Sequence, residues 1–386
     1  MHICFLCHEY PPGAHGGIGT FTQTLGRALV AQGHAVTAVG VYAIGEEIRE
    51  RDQGVDIVRL PHSRVKGAGL LINGSRLRSA IRRIHREKPI DLIEGQENSL
   101  AMLPRRFVAA KLIRMHGGHH FFSVMLGGKP RPWRSWIEKR SFGRADFLCA
   151  VSRFVAERTA NLLGLDVDAI KIIHNSVDTS AFGPQPAIQE NPTLVLFVGT
   201  LAEKKGVRHL ILAMPHVVAD CPRAELWLFG RDSTDPATGL SYQATVSQLI
   251  PEALKGRITF RGLIDNARLP EILATAAVCV YPSHMEALPI APLEAMAMER
   301  AVVGPETGPG PEVIEHGVSG LLCDPYDPKS IAAQIVRLLN DPEFRHRLGH
   351  RARHDVETRF SISTLVQENI AWYEQCVSRF AAPHRH

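Results

Sequence analysis

The chain is predicted to be an α/β protein of two domains, each built on a parallel sheet sandwiched between helices. Three observations carry this. Short runs rich in Val, Ile and Leu alternate with amphipathic stretches from end to end. The runs are apolar on both faces, as strands covered by helices on either side must be. The alternation breaks once, at Phe182-Gly183-Pro184-Gln185-Pro186, and the polar stretch runs to Pro192 before the pattern restarts. With 386 residues, 45% hydrophobic and 22% charged, the chain is too apolar for a disordered tail and long enough for two ordinary cores.

Residues 2–7 read as a strand, 18–32 as a helix closed by Gly33, and 35–41 as a second strand. Further strands are expected at 90–93, 112–115, 147–151 and 171–174, giving a first domain over 1–183. After a linker at 184–191, strands at 193–198, 225–229, 257–260, 278–281 and 301–303 define a second domain over 192–360. The final segment, 361–386, is expected to be a helix through 379. Ile362, Leu365, Val366, Ile370, Trp372, Tyr373 and Val377 cover so much of it that it must dock, and the expected partner is the first domain.

Charge is distributed unevenly. Residues 1–190 carry 25 Lys and Arg against 17 Asp and Glu, whereas 191–386 carry 19 against 22. The excess lies in two blocks, 59–88 with nine basic residues and 105–144 with ten, each holding a single acid. Such a face suits an anionic partner or is simply solvated. Arg76, Arg78, Arg82, Arg83 and Arg86 are spaced to fall mostly on one side of a helix. Trp133 and Trp136 interleave with Arg131, Arg134, Lys139 and Arg140, a mix suited to a headgroup interface or, for the tryptophans, to a buried stripe. The seven cysteines are scattered and mostly inside apolar runs, the N-terminus lacks a basic n-region, and no run approaches a membrane span. The expected location is the cytoplasm, with room for a peripheral position at the inner face of the membrane.

Several local patterns carry little. Cys4 and Cys7 form a CxxC, but strand geometry points them to opposite faces. Gly17-Ile18-Gly19 opens a helix after the first strand, yet position 22 is Thr and no acid ends the second strand, which argues against a dinucleotide cofactor. His116, His119 and His120 lack a nearby acid before Glu138, so no metal is expected there. Asp166-Val167-Asp168 fits a D-x-D metal pattern but falls in a loop between a helix and a strand.

The informative stretch runs from Tyr281 to Ala297. Glu286 sits just past a strand, and Glu294 eight residues on. Pro292 suits the first turn of the next helix, which would place Glu294 in that turn. Carboxylates accept from vicinal hydroxyls, and helix-start amides donate to phosphate, so one segment can hold a sugar, a ribose and a diphosphate. The plainer alternative is that Glu294 complements the helix dipole, which leaves Glu286 unexplained.

Glu286 and Glu294 followed by Ala295-Met296-Ala297 resemble the E-x7-E segment of retaining GT-B glycosyltransferases of family 4 (glycosyl transferases group 1). The resemblance spans nearly the whole chain. Gly16-Gly17-Ile18-Gly19 is similar to the family's glycine loop near the donor phosphates, and His116-Gly117 to its histidine near the sugar. Ala150-Val151-Ser152, His174 to Asp178 and Phe182-Gly183-Pro184 resemble interdomain landmarks. Gly199-Thr200 with Lys204-Lys205-Gly206 resembles the diphosphate turn, and Gly308 to Asp327 completes the series.

The resemblance implies two Rossmann-like domains facing a central cleft, with the C-terminal helix returning to the first. It implies a hexosyltransferase that moves a sugar from a nucleotide-diphosphate donor to a hydroxyl with retention, without a cofactor or metal, in polysaccharide or glycoconjugate synthesis. His116, Lys205 and Glu286 are its expected catalytic residues. The expected donor contacts are Gly16, Gly17, Gly19, Gly199, Thr200, Arg231, Leu288, Pro289, Ile290 and Glu294. The acceptor is a glycan, a lipid-linked glycan or a small molecule, and nucleic acid is not expected as a partner. Two departures stand out: Thr200 replaces the family's usual arginine, with Arg208 or Arg231 as substitutes, and Pro289 removes an amide. An inactive sugar-binding scaffold, or a two-domain solute-binding protein, are the alternatives.

Overall fold

The structure, a computed structural model, describes residues 1–382 except 14, 66, 236 and 237. The chain forms two units, residues 1–176 with the C-terminal helix, and residues 177–361. The division therefore falls ahead of the expected 184–191 linker, which is anchored to the second unit. Glu190 makes ion pairs of 2.7 Å with Arg300 and 2.6 Å with Arg345, and the Val177 amide donates to the Phe360 carbonyl.

The first unit's strands are β1 (His2–Leu6), β2 (Ala35–Tyr42), β3 (Ile48–Asp52), β4 (Val55–Pro61), β5 (Leu92–Gly95), β6 (Ala110–Met115), β7 (Phe147–Ala150) and β8 (Ile170–Ile172). They run in the order β3-β4-β2-β1-β5-β6-β7-β8, parallel except where β3 pairs antiparallel with β4. Central β1 and β6 are buried along their whole length, as strands covered on both faces are, and in β6 that burial includes the charged Lys111 and Arg114. The β3–β4 hairpin has no counterpart in the sequence reading. Ile-Arg-Glu-Arg-Asp is a solvated edge strand, and its turn uses Gln53 and Gly54, both at positive φ, rather than Asn-Gly.

In the second unit β9 (Asn191–Val198), β10 (Glu225–Phe229), β11 (Ile258–Gly262), β12 (Ala276–Val280), β13 (Ala301–Pro305) and β14 (Leu321–Cys323) form a parallel sheet ordered β11-β10-β9-β12-β13-β14. Its core joins β9 and β10 to Leu210, Ile211 and Met214 of one helix and Ile331 and Ile335 of another.

The C-terminal helix Ile362–Ala381 packs on the first unit. Residues 383–386 of the final segment lie outside the described residues. Its anchor is a buried polar cluster: Arg114 donates to Glu94 at 2.7 Å through Nε and to Asn369 Oδ1 at 2.6 Å through Nη2, and the Tyr373 hydroxyl donates to Glu94 at 2.7 Å. Arg114 is thus a structural residue. So are two other members of the basic blocks: Arg59, which donates to the carbonyls of Tyr10 and Pro11, and Lys111, which pairs with Asp146 at 2.6 Å.

Among the described residues no helix is long and apolar enough to cross a membrane.

Candidate active site

In a parallel sheet the loops that follow the strands gather at one end, and those loops carry the predicted residues. In the second unit Gly199 and Thr200 follow β9. The amide of Gly199 donates to Phe229, and that of Leu201 to Arg231, so backbone bonds between two strand ends hold this turn. The chain then makes a short turn, Glu203–Lys205, and enters the helix Val207–Asp220 through Gly206. Gly206 has φ of 71°, and a Cβ there would lie 1.9 Å from the Pro282 carbonyl oxygen. Only glycine allows this approach, which brings Lys205 against the loop after β12.

Lys205 Nζ lies 2.6 Å from Glu286 Oε1. The His284 amide donates to the Lys204 carbonyl at 2.8 Å, tying the same two segments a second time. Burial lowers the Lys204 ammonium, against the pull of Glu286, so a second cation faces this carboxylate. The sequence reading passed over Lys204 because two adjacent lysines in a turn cannot be ranked without knowing what each faces.

Leu288 is buried, and Pro289 is the N-cap of the helix Ile290–Ala297, which has no side-chain cap. Its first amides are those of Ile290 and Ala291, since Pro289 and Pro292 have none. The helix begins two residues earlier than Pro292 suggests, so Glu294 lies in the second turn. That position weakens the dipole reading, whose effect is confined to the first turn. The Glu294 carboxyl is partly accessible yet enclosed by protein on most sides, and burial pushes it up to about 7. Of the two arginines considered beside Thr200, Arg208 is committed to Glu203 at 2.8 Å, whereas Arg231 is exposed.

In the first unit Gly16 caps the helix Gly17–Ala31. The Gly19 amide donates to Glu9 Oε1 at 2.9 Å, and a Cβ on Gly19 would lie 2.0 Å from the Glu9 carbonyl oxygen. A carboxylate of the chain itself therefore takes part of this helix start, leaving the Gly17 and Ile18 amides for any other anion.

His116, after β6, is buried edge-on to Phe21 at 5.0 Å. Burial, then Arg114, lowers its pKa to about 3, so the ring is neutral at physiological pH and can offer hydrogen bonds but no charge. It does not share a centre with its neighbours: His120 bonds through its ring to Glu138, and His119 accepts from the Arg131 amide. Asp166 accepts from the Asp168 amide, which makes it a turn cap.

A cavity of about 680 Å³ opens at this end of the first sheet, lined by Glu9, Glu97, Gly118, Trp133, Arg134 and Glu138 among others. Glu97, which the sequence reading missed, is 4% exposed, and its Oε1 has no hydrogen-bond partner. Burial, reinforced by Glu138, pushes its carboxyl up to about 8. The available signal was an acid two residues past the strand ending at Gly95. Trp133 and Trp136 are 58% and 56% exposed, so neither belongs to a buried stripe; only Ile137 of that set does.

The family description "Glycosyl transferases group 1" matches residues 178–355, and "Glycosyltransferase Family 4" matches 15–181. The alpha-maltose-1-phosphate synthase of Mycolicibacterium smegmatis is 26% identical over 97% of this chain and 99% of its own length. A glycogen synthase of Mycobacterium tuberculosis is 25% identical over 95% and 92%. Among solved structures, a sucrose-phosphate synthase from Thermosynechococcus elongatus superposes with a TM-score of 0.80 at 24% identity, covering 99% of both chains. Anabaena HepE in complex with UDP and glucose gives 0.76 at 17% identity, over 97% of this chain and 100% of that one. The two family matches abut near residue 180 and together span nearly the whole chain, and the chain belongs to the group 1, family 4 glycosyltransferases of the GT-B fold.

Proposed function

We propose that the protein transfers a hexosyl group from a nucleoside-diphosphate sugar to an acceptor hydroxyl with retention at the anomeric carbon, in polysaccharide or glycoconjugate synthesis. The observation that carries the reading is the Lys205–Glu286 contact, which sets a cation for a diphosphate beside an acceptor for sugar hydroxyls. Departure of the nucleoside diphosphate develops negative charge. Lys205, the amides at the start of Ile290–Ala297 and those of Gly17 and Ile18 stabilise it, with Gly16 and Gly19 shaping the loop.

Gly199 and Thr200 line the approach to the diphosphate, Arg231 adds charge, and Leu288, Pro289 and Ile290 set the path of the loop. Glu286 orients the sugar, Glu294 holds the ribose, and neutral His116 hydrogen-bonds near the transferred sugar. Attack comes from the face the diphosphate leaves, and a phosphate oxygen of the donor takes the acceptor's proton, so no protein nucleophile is required. The reaction runs without a divalent metal, since Lys205 and the amides carry the charge.

Family membership disfavours the solute-binding alternative, and Thr200 and Pro289 remain the support for an inactive scaffold. Thermal shifts with UDP, GDP, ADP and TDP sugars, then turnover of the hit in EDTA with NMR of the product anomer, test the proposal. A ligand that binds without turnover on any hydroxyl acceptor would favour the scaffold. An inverted anomer, or activity lost in EDTA and restored by magnesium, would sink the mechanism.

For the acceptor, the two ends of the first sheet now separate. The cavity with Trp133 and Arg134 lies past the carboxyl ends of the strands. Arg82 and Arg86, near the end of the helix Gly69–Glu87, and Arg106, just before β6, lie at the opposite end, around a groove of about 730 Å³ that includes Phe107, Val108 and Phe380. We take the basic groove, which is separate from the cavity proposed for the acceptor, as the docking surface for an anionic membrane bearing a lipid-linked acceptor.

A further inference from the structure

Three donor groups from separate segments of the second unit converge beside the Lys205–Glu286 pair. His209 Nδ1 lies 3.1 Å from His284 Nε2, and a Glu203 carboxylate oxygen and these two nitrogens all lie within 4.8 Å of one another. Among the described residues no other trio of His, Cys, Asp or Glu meets in this way. Glu203 opens the short turn, His209 lies in the first turn of the following helix, and His284 lies in the loop after β12. Only the tertiary fold joins them, so no spacing motif announces the group.

The separation suits a metal ion. Bonds of about 2.0–2.1 Å to two nitrogens at a tetrahedral angle place those nitrogens a little over 3 Å apart. The surroundings hold each donor in place. The His284 ring hydrogen-bonds to the Pro325 carbonyl, and Tyr326 stacks on it with centroids 4.2 Å apart and planes 21° apart. Tyr326 also meets His209 edge-on at 5.9 Å. Glu203 Oε2 accepts from Arg208 Nε at 2.8 Å and from the Tyr242 hydroxyl at 3.0 Å. Such outer contacts, a carbonyl for an imidazole and donors for a carboxylate, orient ligands in metal sites. Burial keeps both imidazoles below their usual range, so they are neutral at pH 7, the form that binds metal.

We propose that Glu203, His209 and His284 form a binding site for a borderline divalent transition ion, with Zn²⁺ the best match and Co²⁺ and Ni²⁺ its chemical neighbours. One proton now lies between the facing nitrogens. On binding it moves to the other nitrogen of its own ring, so both imidazoles remain neutral and each offers a lone pair. Asp324 adds a negative field at His209. Three protein ligands leave a fourth position for water. The ion adds a further tie between the turn bearing Lys205 and the loop bearing Glu286, which the Lys204 carbonyl and the His284 amide already join without it. No reacting atom falls to it, and the inference stands independently of the transfer reaction.

The test titrates the metal-free full-length chain with Zn²⁺ against a chromogenic chelator, and with Co²⁺ by its visible absorption. One tight ion per chain and a tetrahedral Co²⁺ band are expected. His209→Asn, at a half-buried position, and His284→Gln should each weaken binding by at least the about 10- to 100-fold that loss of an outer contact costs. Glu203→Gln should weaken it less. Thermal unfolding without metal checks that each variant folds, and the wild-type titration stands on its own should a variant not fold. No tight ion on the wild type, or equal affinity in folded His209→Asn, would overturn the site.

Discussion

Lys205 Nζ and Glu286 Oε1 are 2.6 Å apart, joining the turn after β9 to the loop after β12 across two adjacent strands of the second sheet. Both side chains are mostly buried, so the contact is more than a solvated surface pair, and each residue sets the position of the other. Lys205→Ala should lower turnover on the order of 10²-fold or more, as loss of a preorganised charge does. Glu286→Ala should lower turnover with a smaller effect on nucleoside-diphosphate affinity. Because the residues touch, the double variant should lose less than the product of the two single losses. Steady-state kinetics on the three variants measures this, and wild-type rates in both single variants would dismiss the pair as active-site residues.

Glu294 should act on binding instead. A hydrogen bond to a charged group contributes roughly 1.5–3 kcal/mol, so Glu294→Ala should weaken nucleoside-diphosphate binding by about 10- to 100-fold. Its carboxyl is raised to about 7, so ionisation between pH 6 and 8 makes it a better acceptor for a ribose diol. Affinity in the wild type should rise over that window, and the rise should vanish in Glu294→Ala. Calorimetry at several pH values tests this. Identical pH profiles would remove Glu294 from the ribose.

Glu97 supplies a stability test. Its carboxyl is raised from 4.5 in the unfolded chain to about 8 in the fold by burial, so the folded state holds a proton that the unfolded state releases. Its contribution to stability is fully present below about 4.5 and is lost as pH rises towards 8, at no more than about 1.4 kcal/mol per pH unit for one proton. Glu97→Gln, which keeps the shape without the titration, should flatten that decline and melt above the wild type at pH 8. Thermal unfolding from pH 5 to 8 reads it out, and parallel curves would show that Glu97 does not hold this proton.

The parts of this molecule that the sequence displays are those fixed by local rules. Apolar runs such as His2–Leu6 and Ala276–Val280 are buried on both faces and announce themselves as central strands. The Tyr281–Ala297 segment stood out because its carboxylates and prolines lie close in sequence. Contacts closed over long separations were not visible. Arg114 meets Asn369 across 255 residues, and nothing near either residue says that an arginine of a basic block is buried on a terminal helix. Glu97 owes its character to burial and then to Glu138, and His209 meets His284 across 75 residues. Solvated edges such as Ile48–Asp52 were hidden for the opposite reason, because an edge strand has few apolar residues to display.

The basic groove at the amino end of the first sheet makes the remaining prediction. Leu77, Ile81 and Ile84 of the helix Gly69–Glu87 face inward, leaving Arg76, Arg82 and Arg86 exposed. Among the described residues Arg82, Arg105 and Arg106 have no carboxylate partner. Val108 is 68% exposed and lies with Phe107 and Phe380 in the same groove. Cations around apolar side chains suit the boundary between headgroups and acyl chains, where each basic residue contributes about 1 kcal/mol. The full chain should therefore float with anionic liposomes and not with neutral ones at about 0.1 M salt, where the screening length is about 10 Å. Raising the salt should release it. Arg82→Glu/Arg86→Glu/Arg106→Glu should abolish flotation while leaving transfer to a soluble acceptor intact, because the groove lies at the end of the sheet away from His116 and Glu97. Equal failure of the wild type on both liposomes would assign these arginines to a solvated surface. Loss of soluble-acceptor transfer in a folded triple variant would place them in the reaction instead.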